Sequence, residues 1–171
     1  LVDTSELTDR GETAMSPGFV NRCEARLVAD IVASLPDRYR AGEGLGVIAP
    51  YGGQVAAARQ ALAAALALAP RDAWLFDNVA TVDSFQGQER DVIVVSLTRS
   101  NADGAVGFVS DLHRLNVTLS RAREQLVIVG DLSTLSAARG GFAGFARALG
   151  EHVRRNGELV AASELRRRIG R

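Results

Sequence analysis

The chain has 171 residues, of which 47% are hydrophobic and 23% charged, with 20 basic against 20 acidic side chains. That is enough for about one domain with its own core, and it excludes a disordered tail, a collagenous chain or a disulfide mini-protein. Balanced charge argues against a uniformly basic nucleic-acid binder, and a lone cysteine, Cys23, excludes an internal disulfide or cysteine metal cluster and fits a reducing, cytoplasmic setting.

All 20 basic residues are arginine. Chemistry that needs a Schiff-base lysine, or the lysine of a P-loop, is therefore beyond this chain alone. The arginine- and alanine-rich composition points to a GC-rich bacterial genome, and a start at Leu1 is read as that of a fragment. No secretory signal is visible. The most apolar window, Val55 to Ala69, is interrupted by Arg59 and Gln60 and falls short of the roughly 20 residues a membrane span needs, so no membrane partner is expected.

In chain order, short β-branched runs alternate with helical stretches, which predicts an α/β domain with a mainly parallel sheet. Residues 1–15 read as a polar lead-in with at most a short strand, 16–161 as the domain proper and 162–171 as an arginine-rich tail. Ser16-Pro17, or Asn21 with Glu24 three residues on, starts a helix that buries Leu27, Val28, Ile31, Val32 and Leu35. Gly42 to Gly46 reads as a turn. Leu45 to Ala49 is a buried strand, and an Ala/Leu-rich helix runs from Gly53 to Ala69, closed by Pro70. Trp74 and Phe76 fall in a loop-like stretch that they pin. Val79 to Val82 and Val92 to Leu97 are strands, the latter central. Asp111 to Arg123 is a helix with Leu112, Leu115, Leu119 and Ala122 as its core stripe. Leu126 to Val129 is a strand, Asp131 caps a short helix, and Gly140, Gly141 and Gly144 flank a last helix before an edge strand at Leu159 to Ala161.

Three polar segments carry chemistry. Pro50-Tyr51-Gly52-Gly53-Gln54 follows a strand, where open parallel sheets bind ligands; a plain strand-to-helix turn explains it equally well. Thr81 to Asp91 offers the hydroxyls of Thr81 and Ser84 to phosphate oxygens, Gly87 for a tight turn or an anion-facing amide, and the Glu89 carboxylate for sugar hydroxyls. Its linker of about eight residues is short for a parallel crossover, and a hairpin is the plainer alternative, except that hairpin loops rarely need so many specific polar groups. On the predicted helix from Asp111, the residues Arg114, Thr118 and Arg121 share one face. They read either as solvated arginines or as a guanidinium meeting phosphate, to which its planar fork is suited.

Together, "GVIAPYGGQ", "VATVDSFQGQERDVIVVSLTRS" and "GFVSDLHRLNVTLSRAREQLVIVGD" closely resemble motifs IV, V and VI of superfamily-1 helicases, in the subgroup of the up-frameshift and senataxin-type enzymes. Asn21, Glu24 and Ala25 also fall on that family's N-x-x-E-A pattern. The resemblance covers about residues 16–131, and implies the second of two RecA-like domains, a parallel sheet flanked by helices on both faces. In such enzymes ATP with Mg²⁺ sits in the cleft between the two domains. The first domain supplies the P-loop, which is absent from this sequence, and single-stranded DNA or RNA crosses the top.

By that resemblance Arg121 is the arginine finger that reaches the γ-phosphate, Glu89 holds the ribose, and Gly87 brings backbone near the phosphates. Arg114 contacts phosphate or pairs with a carboxylate. Thr81 and Ser84 of motif V, and Pro50 and Tyr51 of motif IV, lie along the nucleic-acid backbone. His113, Thr118 and Ser120 depart from the family's usual arginine, alanine and threonine. The reading is then a motor domain of an ATP-dependent helicase or translocase, inactive as an ATPase alone. The alternative is a non-catalytic nucleic-acid-binding or interaction module that keeps the fold. A generic dinucleotide-binding domain is weaker, since no G-x-G-x-x-G follows any strand.

Overall fold

The computed structural model describes residues 1–40, 44–85, 87–139 and 141–170. Of the expected features, residues 42 and 43 of the first turn, Gln86, Gly140, Arg171 and the side chain of Leu112 lie outside the described residues. Strands β1 (Val2–Asp3), β4 (Leu45–Ala49), β5 (Val79–Thr81), β6 (Arg90–Ser96), β7 (Ala122–Gly130) and β8 (Val160–Ala161) form one sheet in the order β5-β4-β6-β7-β1-β8. Every pairing within it is parallel. A separate antiparallel pair, β2 (Thr13–Ala14) with β3 (Phe19–Val20), projects before the first helix.

Strand parity sorts the core into two layers. Leu45, Val47, Ala49, Val92, Val94 and Val129 pack on one face, against α1 (Arg22–Ser34), α3 (Gly52–Ala65), α4 (Ala73–Asn78) and α8 (Ala162–Arg168). Ile48, Ile93, Val95, Leu97 and Ile128 pack on the other, against α5 (Leu112–Leu119), α6 (Leu132–Ala137) and α7 (Gly141–Asn156). Each fully buried aliphatic side chain contributes about 1.5–3 kcal/mol. The short α2 (Asp37–Arg40) adds Tyr39 to the rim of the first layer. This is the RecA-like α/β architecture, a six-stranded parallel sheet with helices on both faces.

The segment grouped with the lead-in thus contributes β1 between β7 and β8, and the segment grouped with the tail contributes α8, which buries Ala162. Three expectations shift, and one open alternative, the hairpin at 82–89, falls away. The long helix α3 stops at Ala65, not Ala69: Ala67 adopts a left-handed φ of 53° and the Leu68 amide donates to the Ala63 carbonyl at 2.9 Å. That is the C-terminal motif usually built on glycine, so the sequence did not advertise it. Trp74 and Phe76 lie on the short helix α4, capped by Asp72, rather than in a loop.

The segment 82–89 is a crossover, not a hairpin, because β4 lies between β5 and β6 and all three run parallel. Phe85, 2% exposed, anchors it against Ile48 and Ile93. Gly46 is required beneath it, since a Cβ there would run into the Phe85 ring and Ile93. Finally, α5 ends at Leu119 and β7 begins at Ala122, so Arg121 lies in the turn between them rather than on a helical face with Arg114 and Thr118. Strand pairing of Ala122 with Arg90 overrides the helix preference of Arg-Ala-Arg.

Candidate nucleotide and nucleic-acid interface

The residues singled out from the sequence fall at two ends of the sheet, joined by the crossover 82–89 and by α5, which both lie on the second face. At the carboxyl end of β4 and β5, the Thr81 and Ser84 hydroxyls are 2.9 Å apart, and the Ser84 amide donates to Thr81 Oγ1 at 3.3 Å. Both hydroxyls are accessible, as an interface with a phosphate backbone requires. Pro50 shares a small apolar cleft with Val82, Leu97 and Arg114. The Arg114 Nε lies 3.4 Å from Asp111 and 3.8 Å from Asp83, so two carboxylates face that guanidinium.

Tyr51 begins α3 without capping it by its side chain. Its ring meets Phe19 of β3 edge-on at 5.6 Å, and Arg99 covers Phe19 with its guanidinium carbon 3.9 Å from the ring centroid. Arg99 in turn is locked to Glu12 at 2.8 Å, with side chains 6% and 9% exposed. Burial pulls the Arg99 pKa down, but the bonds to Glu12 and Tyr51 outweigh it and raise the net value. The β2–β3 hairpin therefore fixes the position of Tyr51, and Gly18 leaves the room: a Cβ there would lie 2.7 Å from the tyrosine ring.

At the other end, Gly87 and Glu89 lead into β6 and Arg121 leads into β7, and the two strands pair from Arg90 and Ala122 onward. The Arg90 amide donates to the Arg121 carbonyl at 3.1 Å, which ties the crossover to the α5–β7 turn. Gly87 has φ 81°, a left-handed conformation that favours glycine, and open space where a Cβ would stand. Arg121 is half-buried, and its Nε donates to the Val117 carbonyl at 3.0 Å. Among the described residues no carboxylate pairs with it. The exposed Glu89 pairs instead with Arg123, at 3.5 Å, and Arg123 also faces Asp91 at 3.5 Å. Arg123 belongs to the motif VI segment. Its exposed place at the start of β7, two residues from Arg121, follows only from where α5 ends.

The sequence reading also underrated a buried polar network beneath Tyr51. Asn21 caps α1 by accepting from the Glu24 amide at 3.0 Å, but the Glu24 carboxylate turns inward rather than completing a capping box. There it accepts from Ser96 Oγ at 2.6 Å and the Thr98 amide at 2.8 Å. Gln54 bridges Asn21 and Ser96, donating to Ser96 Oγ at 2.9 Å and accepting from the Asn21 amide at 2.7 Å. Burial pushes the Glu24 carboxyl up to about 8, against the hydrogen bonds that favour its charged form. The N-x-x-E-A pattern and Gln54 were the available signal. Asp131 behaves oppositely: burial pushes it up, but bonds from Ser100, Ser133, Thr134 and Arg10 prevail and hold it at about 2.

Among the described residues no group of three or more His, Cys, Asp or Glu is arranged to hold a metal ion, and no helix is long and apolar enough to cross a membrane.

Comparison with known proteins defines the class first. Residues 1–133 match the family model described as an AAA domain. The ATP-dependent helicase NAM7 of Saccharomyces cerevisiae is 40% identical over 127 residues, covering 72% of this chain and 13% of that protein. A regulator of nonsense transcripts 1 homolog of Arabidopsis thaliana is 39% identical over 124 residues, 72% of this chain and 10% of that protein. The DNA replication ATP-dependent helicase/nuclease DNA2 of Mus musculus is 36% identical over 125 residues, 72% and 11% respectively. This chain therefore belongs to the superfamily-1 helicases, in the up-frameshift-like subgroup, and carries their C-terminal RecA-like domain. It spans only 10–13% of the length of these relatives.

Proposed function

We propose that this chain is the second motor domain of an ATP-dependent helicase or translocase acting on single-stranded DNA or RNA. Its first RecA-like domain, with the P-loop, belongs to the same polypeptide. The observation that carries the reading is the backbone bond from Arg90 to Arg121, which sets the Gly87–Glu89 segment beside the α5–β7 turn, with an Arg121 guanidinium bonded, among the described residues, only through Nε. That half-site fits a nucleotide triphosphate: an uncommitted cation for phosphate oxygens, a carboxylate for ribose hydroxyls, and a backbone turn with no Cβ in the way. When bound between the domains, ATP with Mg²⁺ supplies the phosphoryl group whose transfer to water drives the cycle.

Arg121 then stabilises the negative charge that spreads over the transferring phosphoryl oxygens, its guanidinium already positioned by the Val117 carbonyl. Glu89 orients the sugar once it releases Arg123. The Thr81–Ser84 pair, Pro50 and the hairpin-held Tyr51 contact the strand's backbone, which gives little sequence preference. Arg114 either contacts phosphate or pairs with a carboxylate, and its place beside Asp83 and Asp111 supports the second of these. Relatives of this chain are named for the regulation of nonsense transcripts and for DNA replication alike, which supports keeping both RNA and DNA as substrates. They are eukaryotic, so the bacterial source rests on composition alone. A cytoplasmic setting rests on the lone cysteine.

The test is ATP turnover by the polypeptide that contains both RecA-like domains. An Arg121→Ala protein is expected to lose on the order of a thousandfold in turnover. Near-normal turnover would overturn the finger assignment, and nucleic-acid binding with no turnover in the parent protein would favour the non-catalytic module.

A further inference from the structure

Phe76 is one of only two large hydrophobic side chains left exposed among the described residues, at 50%. Its neighbours on α4 do the opposite. Leu75 is fully buried, and Trp74 packs on the core while its Nε1 donates to the Arg40 carbonyl at 2.8 Å. The Phe76 ring is also held still. Arg59 of α3 lies over it with the guanidinium carbon 4.3 Å from the centroid. That guanidinium is fixed by donating to the Val79 carbonyl at 2.7 Å from Nη2, and from Nε to the Leu75 carbonyl at 3.2 Å. Because Arg59 occupies the outer carbonyl of edge strand β5, the exposed ring is not part of an edge kept open for an added strand.

A cavity of about 600 Å³ lies at this edge, and Arg59, Phe76, Thr81, Ser84 and Arg90 are among the residues that line it. Arg90 is 7% exposed; its Nη atoms donate to the Glu89 carbonyl and to Gln88 Oε1, and its buried Nε has no hydrogen-bond partner among the described residues. Two arginines and one aspartate, Asp77, line the cavity, so its charge suits a polyanion better than an acidic peptide. An exposed aromatic beside hydroxyls and guanidiniums is the composition of a single-strand surface, where bases stack and the backbone is held by polar groups.

We propose that Phe76 is a base-stacking platform that extends the single-strand path from the Thr81–Ser84 pair along edge strand β5. The occupant is one nucleobase of a single-stranded nucleic acid, lying on a ring whose orientation Arg59 has already fixed, so little ordering is lost on binding. Every base has a π-face, so the contact is sequence-tolerant. This rests on the reading that Thr81 and Ser84 touch the strand.

The experiment uses the polypeptide with both RecA-like domains and a short oligouridylate carrying 5-iodouracil, made as DNA and as RNA. Ultraviolet cross-linking is expected to map to residues 73–78 with at least one of the two. Phe76→Leu is expected to abolish that cross-link and weaken binding on the order of tenfold, while Phe76→Trp retains both. The thermal midpoint reports whether each variant folds. If Phe76→Leu binds as the parent does and no cross-link falls in 73–78, while a Thr81→Val/Ser84→Ala protein binds less well, the platform is overturned and the strand path stands. If the Thr81→Val/Ser84→Ala protein also binds as the parent does, the path fails and the platform with it.

Discussion

Two arginines of this chain show opposite uses of the same side chain. Arg99 lies under Tyr51 with both a carboxylate and a ring in contact, its charge matched by Glu12 in a nearly dry setting. Arg121, at the far end of the sheet, keeps a single bond to a backbone carbonyl and has no carboxylate partner among the described residues. The first is spent on holding the fold; the second is positioned but left with most of its donors for something else. The difference teaches that a guanidinium's role is read from what already satisfies it, not from the residue type.

The comparison breaks most readily at Arg121. Its truncation to alanine should lower ATP turnover on the order of a thousandfold with the thermal midpoint unchanged, since no buried partner is stranded. Truncating Glu12 should do the reverse. Glu12→Ala leaves the Arg99 charge buried and unpaired, and urea unfolding should report a loss of about 3–5 kcal/mol. An Arg121→Ala protein that unfolds early, or a Glu12→Ala protein as stable as its parent, would erase the distinction.

The Glu24 network sharpens the structural side through pH. Its folded pKa of about 8 lies above the ordinary carboxyl value, so between about pH 5 and pH 8 the folded state holds a proton that the unfolded chain has released. Stability should therefore fall as pH rises through that window, and Glu24→Gln should flatten the slope in urea titrations. Asp131 works in the other direction: held at about 2, it contributes stability that is lost as pH falls from about 4. The smallest effect belongs to Arg123. Its pairs with Glu89 and Asp91 are long and solvated, so Arg123→Ala should cost under about 1 kcal/mol in the same assay, while freeing Glu89.

Much of this was legible in the linear chain. The β-branched runs placed β4, β6 and the buried end of β7, because alternate residues of a doubly covered strand are all apolar. Asn21 and Asp131 were readable as helix caps from their short side chains alone. The start of β7 was not, since residues 123–125 are exposed and polar and only Ala122 reaches the core. Nor was the Ala67 stop of α3, where alanine takes a glycine conformation. The candidate site was legible as motifs, but not the partition of its residues between two ends of the sheet.

The sequence by itself determined the parallel α/β frame, the motif segments and the family, all of which rest on local patterns within a few tens of residues. Only the tertiary structure decided which arginines are satisfied. Glu12 and Arg99 are 87 positions apart, Arg123 and Glu89 are 34, and the tie between Arg90 and Arg121 needs β6 and β7 to pair. Charges are matched through space, where distance and burial set the energy, and neither is written in the order of the residues.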